Sequence, residues 1–289
     1  MKKLSGLLLV SCLFCGGSGV LAAQESAGDT MAPPKVLVIQ REFVKPGKAG
    51  MAHDKTESAF VRAMMAAKWP TRYLGMNSLS GPSRSLFFVG YDSFAAWEKD
   101  NLDTQKNATL AAALDRAAVE DGELLSSYES SAFVYREEYS LRAPVNIGEM
   151  RYMEINQFKI RQGHRKDWDT LVKMYRDAYE KSVPEAHWAM FESMYGTDNG
   201  GIYLLITPMK SASEIDHELA SEDALHTSRS ATDSKRMAEL AAACIESAQS
   251  NLFQFDPKMS YPRDMWVKAD PDFWKPKMMA TKKEAKPTQ

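Results

Sequence analysis

Tyr152-Met153-Glu154-Ile155, then Gly163, then Pro184, then Ile202-Tyr203-Leu204-Leu205-Ile206: the succession carried by Met150 to Thr207 has already occurred once, between Pro34 and Tyr91. The earlier copy reads Val36-Leu37-Val38-Ile39, Gly47, Pro70 and Leu86-Phe87-Phe88-Val89. In each, a short apolar run suited to a strand meets a glycine turn. An amphipathic segment stopped by proline follows, and two more strand-like runs close the unit. The spacing agrees: 39 positions separate Gly47 from Leu86, and 39 separate Gly163 from Ile202. A repeat of this length sets the architecture before any single residue does.

Outward from that stretch, each copy gains a second crossover and a fourth strand. In the first, Asp92 or Ser93 can cap a short helix carrying Phe94 and Trp97. An alanine-rich helix is predicted from about Thr109 to Ser127, and strand four is Ala132-Phe133-Val134-Tyr135-Arg136. In the second, helices are predicted at about 212–225 and 234–249, then a strand at Leu252-Phe253-Gln254-Phe255. Each copy is β-α-β-β-α-β, the split βαβ order of ferredoxin-like domains. Such a unit covers one sheet face with helices and leaves the other bare. The expected fold is therefore α+β: two ferredoxin-like repeats, 35–142 and 150–256, packed sheet to sheet as a pseudo-dimeric α/β barrel, a monomer that needs no partner chain. Residues 23–34 read as a linker. The segment 257–277, with Tyr261, Trp266, Phe273 and Trp274 among its prolines, reads as an extended strap over the surface, and 278–289 as a disordered basic tail.

The start, Met1-Lys2-Lys3, an apolar run from Leu7 to Phe14 and small residues up to Ala22-Ala23, has the pattern of a signal peptide over 1–22. An exported protein, periplasmic or secreted, is expected. Leu9-Val10-Ser11-Cys12 offers a second reading, a lipoprotein anchored through Cys12. No run reaches the ~20 apolar residues of a membrane-spanning helix. Loss of the signal leaves Cys244 as the one cysteine, so no internal disulfide is expected and the core must hold the fold. The net charge of −2 becomes about −4 without Lys2 and Lys3. The tail from Lys275 carries five lysines against Glu284, which puts the body near −8 and argues against nucleic acid as a partner.

By element order, strand content and the repeat, residues 35–256 resemble the dimeric α/β-barrel superfamily, here as a tandem single chain. The resemblance implies a small-molecule pocket for an apolar or aromatic ligand. It also admits a cofactor-free monooxygenase or isomerase and, third, a haem-binding protein with His226 as axial ligand. No reaction is assigned by signature: G-x-S-x-G, the P-loop, G-x-G-x-x-G after a strand and H-E-x-x-H are all missing. No metal site is expected, because His217 and His226, nine residues apart, fall on opposite sides of a helix. No cofactor other than that haem is expected either.

The copies do differ in polar residues. Gln40 and Asn156 stand 116 positions apart, as Gly47 and Gly163 do, and Glu154 replaces Val38. His187 follows Pro184 by three residues, as Tyr73 follows Pro70. One account is that strand ends emerge into solvent. The sharper one is a pocket between sheet and helices, with Glu154 and His187 as general acid and base and Gln40, Tyr73, Asn156 and Tyr203 binding a ligand. Four of the five histidines lie in the second copy, which places a single working pocket there.

Overall fold

The computed structural model describes residues 31–197 and 201–275. The expected signal peptide, most of the linker and the basic tail lie outside the described residues. Eight described strands, β1 (Val36–Val44), β2 (Tyr73–Ser78), β3 (Arg84–Tyr91), β4 (Leu125–Tyr135), β5 (Tyr152–Ile160), β6 (Ala189–Tyr195), β7 (Ile202–Met209) and β8 (Ile245–Phe255), close into one barrel. Its order is β1-β3-β2-β8-β5-β7-β6-β4, with antiparallel neighbours throughout. Each repeat contributes a ferredoxin-like sheet, β4-β1-β3-β2 and β8-β5-β7-β6. The expected α/β barrel of two repeats is thus present, with one addition: the sheets also join edge to edge, β2 to β8 and β4 to β6. Closure gives every described strand a hydrogen-bonded neighbour on both sides.

The repeat is exact in places. β1 and β5 begin and end 116 positions apart, and the turns after them carry Gly47 and Gly163 at φ +76° and +85°. Alternation along β1 sends Leu37 and Ile39 into the barrel and Val38, Gln40 and Glu42 toward the helices. One buried cluster fills the interior with residues of both copies, among them Ile39, Met76 and Phe133 from the first and Met153, Phe191 and Leu204 from the second. Helices cover the outside: α1 (Met51–Ala66), α2 (Phe94–Lys106) and α3 (Ala108–Gly122) over the first sheet, α4 (Arg165–Ser182), α5 (Ser213–Ser228) and α6 (Ala231–Cys244) over the second. Ser93 caps α2, its hydroxyl accepting from the Ala96 N–H at 3.1 Å.

The structure departs from the sequence expectation at the same point in both copies. α3 stops at Gly122 and α6 at Cys244, so residues read as helix tails belong to β4 and β8. Ser127, Tyr128 and Glu129 are exposed and lack a strand-like pattern, yet their backbones pair with Phe43, Glu42 and Arg41. Ser247, Ala248 and Gln249 pair in the same way with β5. Ladder hydrogen bonds, rather than side-chain burial, hold these segments. The amphipathic segment that forms α1 turns a polar pair inward: Met65 is 60% exposed, and the residues α1 buries are His53 and Glu57.

The segment after β8 is not an extended strap. It forms two short helices, α7 (Asp264–Ala269) and α8 (Pro271–Trp274), whose Trp266 and Trp274 enter the barrel core cluster. Trp274 Nε1–H donates to the Gly148 carbonyl at 2.8 Å, so burial of two indoles draws this segment inward.

Candidate metal centre

On the helix-facing side of the first sheet, three elements bring four polar side chains together. β1 supplies Glu42. α1 supplies His53 and Glu57, four residues apart and so stacked on one helix face. Asp121 comes from the last turn of α3. All four are buried, and one candidate ligand atom from each lies within 4.8 Å of the others. His53 Nε2 is 3.2 Å from Glu42 Oε2, 3.4 Å from Asp121 Oδ1 and 3.9 Å from Glu57 Oε1. Atoms that bind one cation at about 2.0–2.2 Å stand roughly 3–4.4 Å apart, so the four could chelate a small ion with little movement.

The surroundings orient the imidazole. Asn77 Nδ2 donates to Asp256 at 3.0 Å, which leaves Asn77 Oδ1 to accept from Ser85 Oγ–H at 2.6 Å. With its proton committed there, Ser85 Oγ can only accept, and His53 Nδ1 lies 3.4 Å from it. In a neutral ring this puts the proton on Nδ1 and turns the Nε2 lone pair toward the three carboxylates, the arrangement of a metal ligand held by an outer hydrogen bond. Thr56 donates to Asp121 at 2.6 Å. Glu57 Oε1 is buried with no hydrogen-bond partner among the described residues.

The charge is not balanced. Among the described residues no lysine or arginine nitrogen lies within 4.0 Å of these three carboxylates, and His53 is their one basic neighbour. The second repeat treats its buried carboxylate differently: Glu192 receives Arg136 Nε at 2.6 Å and Arg165 at 2.8 Å. Burial first, and then the Glu42 and Asp121 charges, push the Glu57 carboxyl up to about 10. Burial also raises Glu42, the nearby His53 opposing it.

A stability profile follows. The folded chain without metal keeps a proton on Glu57 at pH values where the unfolded chain has lost it. Folding then binds a proton, and stability falls as pH rises from the ordinary carboxylate range toward 10. The chelator-treated protein is expected to melt at lower temperature at pH 8.5 than at pH 5.5, and Glu57→Gln to flatten that slope, as read by differential scanning fluorimetry.

The counterpart of this cluster in the second repeat is apolar. Glu42 pairs with Ser85 across β1 and β3, and the equivalent pair across β5 and β7 is Phe158 with Tyr203. Phe158 lies 116 positions after Glu42, the offset of the two turn glycines. There the Trp168 ring packs at a tilt against both, its centroid 5.3 Å from that of Phe158 and 5.0 Å from that of Tyr203. The fold therefore fills this position with aromatic rings in one copy and with four ionisable groups in the other. The polar set is not a requirement of the architecture.

The residues selected from sequence are not brought into one pocket. β1 and β5 stand on opposite sides of the closed barrel, so Gln40 and Tyr73 share one helix–sheet layer while Glu154, Asn156 and Tyr203 share the other. Tyr73 alone reaches the cluster: its hydroxyl is buried without a partner, and burial followed by the Glu57 and Glu42 charges raises its pKa. Tyr203 sits in the aromatic stack, its phenol raised by burial and by Glu192. Asn156 accepts from Ser250, and Glu154 is half-buried. His187 lies elsewhere, at a barrel mouth, with Nε2 2.8 Å from the Pro208 carbonyl and Nδ1 3.1 Å from that of Glu185. The side chain of His226 lies outside the described residues. Around His53, three carboxylates, a serine and a threonine form a set of oxygen donors that suits a small hard cation rather than a porphyrin iron. His53, Glu42, Glu57 and Asp121 were missed in sequence, where the one local trace is the i, i+4 spacing of His53 and Glu57.

No family model matches the chain, and no curated protein matches it. Among solved structures, a candidate monooxygenase from Fusobacterium nucleatum is 13% identical, with 78% of this chain and 94% of that one covered at a TM-score of 0.50. An anthrone oxidase-like protein is 15% identical over 77% and 92%, TM-score 0.49. A mutant chlorite dismutase from Candidatus Nitrospira defluvii with cyanide bound is 10% identical over 81% and 95%, TM-score 0.47. The likeness to the Fusobacterium protein shows a shared fold and nothing finer.

Proposed function

We propose that this chain is an exported, metal-binding α/β-barrel protein whose first repeat holds one divalent cation on Glu42, His53, Glu57 and Asp121. The observation that supports this reading is Glu57 Oε1, buried without a hydrogen-bond partner among the described residues and beside two further carboxylates whose one basic neighbour is the His53 imidazole. Buried charge is costly unless paired or bound to metal. Three carboxylate oxygens and one imidazole nitrogen, with no thiolate, suit Mn²⁺, Fe²⁺ or Zn²⁺. Burial of all four ligands describes a closed site, where binding free energy adds to folding free energy. Export rests on the pattern of residues 1–23. The small-molecule reading attaches to the barrel mouth rather than to this cluster.

Native mass spectrometry of the chain purified without chelator tests both parts. One metal ion per chain is expected, on a mature protein that begins at Ala23 or Gln24. Reloading the stripped protein with Mn²⁺ or Zn²⁺ at ~100 times Kd adds about 2.7 kcal/mol, a rise of roughly 5–10 °C in melting temperature for a chain of this size. Glu57→Gln is expected to abolish both the ion and the rise. Equal, trace metal in wild type and variant would mean that a proton occupies the cluster. A lipid-modified Cys12 would move the protein to a membrane anchor.

A further inference from the structure

One end of the barrel encloses a second, chemically different chamber. It has a volume of about 110 Å³, with walls that include Leu37, Leu74, Phe88, Met153, Phe191 and Ile206 from the strands of both repeats. Three segments outside the barrel close over it: residues 31–34, the inter-repeat connection around Ala143 to Ile147, and α7 through Arg263 and Trp266. Met31 is pinned there, its N–H donating to the Val145 carbonyl at 3.1 Å.

The polar groups that border this chamber are of one kind. Arg72, Arg263 and His187 line it, and no carboxylate does. Arg72 Cζ lies over the Tyr261 ring, 4.0 Å from its centroid. Its carboxylate neighbour is Asp264, 3.9 Å away with a side chain 89% exposed, a pair that solvent weakens. Among the described residues Arg263 makes no ion pair. Trp266, 5% exposed and part of the wall, buries its Nε1–H without an acceptor. A mostly apolar chamber bordered by two guanidiniums and by an N–H donor with no acceptor among the described residues is complementary to an apolar body that ends in an anion. Guanidinium favours a planar carboxylate. An apolar cavity of about 150 Å³ holds a benzene ring, so this one sets the size of the tail.

We propose that the barrel mouth binds a small apolar monocarboxylate, an arylcarboxylate or a short alkanoate, with its tail in the chamber and its carboxylate on Arg72 and Arg263. The site is independent of the cation in the first repeat, and its test is made on chelator-treated protein so that no ligand can bind through metal. Isothermal titration with benzoate and hexanoate is compared with benzyl alcohol, hexan-1-ol and acetate. Both acids are expected to bind at least tenfold more tightly than their alcohols and than acetate. The Arg72→Gln/Arg263→Gln double variant should lose that tenfold preference while it keeps the weak binding of the alcohols. Ala189→Leu, which adds bulk to the chamber wall and leaves both arginines in place, should abolish all binding and serves where the double variant does not fold. Acids that bind no better than alcohols, acids indifferent to either variant, or no binding at all would overturn the assignment.

Discussion

His53→Ala is expected to lower the free energy of unfolding by about 3–5 kcal/mol, the usual cost of removing one partner from a buried charged set. The ring is the one basic group within 4.0 Å of Glu42, Glu57 and Asp121 among the described residues. Its loss leaves three carboxylates facing one another at 2% to 7% exposure with a void between them. The unfolding midpoint in urea reports the change, and metal analysis of the same variant should read empty. Glu57→Gln is the informative companion. It removes one buried acid and keeps the shape, so the metal-free variant should be at least as stable as the metal-free wild type at pH 8. Were His53→Ala to cost less than 1 kcal/mol, the cluster would be open to water and no closed metal centre would exist.

Phe133→Ala is the second large effect, at about 3–5 kcal/mol for deleting a fully buried ring. Phe133 is 0% exposed on β4, where it faces Leu37 on β1 of its own repeat and Ser193 on β6 of the other. The cluster it belongs to draws on both copies. The loss should therefore appear as one shared transition by far-ultraviolet circular dichroism and by tryptophan fluorescence, shifted equally in both. Two separated transitions, with only the first repeat weakened, would mean that each half folds alone and that barrel closure adds little.

Much of the architecture was readable because it rests on local chemistry. Pro70 and Pro184 lie just past the ends of α1 and α4, glycines at 47 and 163 allow positive φ, and apolar runs such as 202–206 need burial on both faces. These features recur at offsets of 116 for the glycines and 114 for the prolines, and two sheets with bare faces have few ways to hide them. The polar starts of β4 and β8 were not readable. Their strand form comes from backbone pairing with β1 and β5, and side chains such as Ser127 and Gln249 carry no trace of a ladder. The inward turn of α7 and α8 was hidden for a related reason, since Trp266 and Trp274 find their cavity only after the barrel has closed.

The candidate site divides along the same line. Histidine counts pointed to the second repeat because a sequence shows how many ligands exist and not which of them meet. Glu42, His53, Glu57 and Asp121 span 79 positions, and only the packing of α1 and α3 on β1 sets them within 4.8 Å. Burial then gives them a charge problem that exposed residues of the same types would not have. The sequence by itself determined the repeat, its elements and the need for two sheets to cover each other, because those follow from turn chemistry and apolar periodicity. The tertiary structure alone decided which side chains meet at the equivalent positions, four ionisable groups in the first copy and packed aromatic rings in the second, because the cost of burying a charge exists only once water has been excluded.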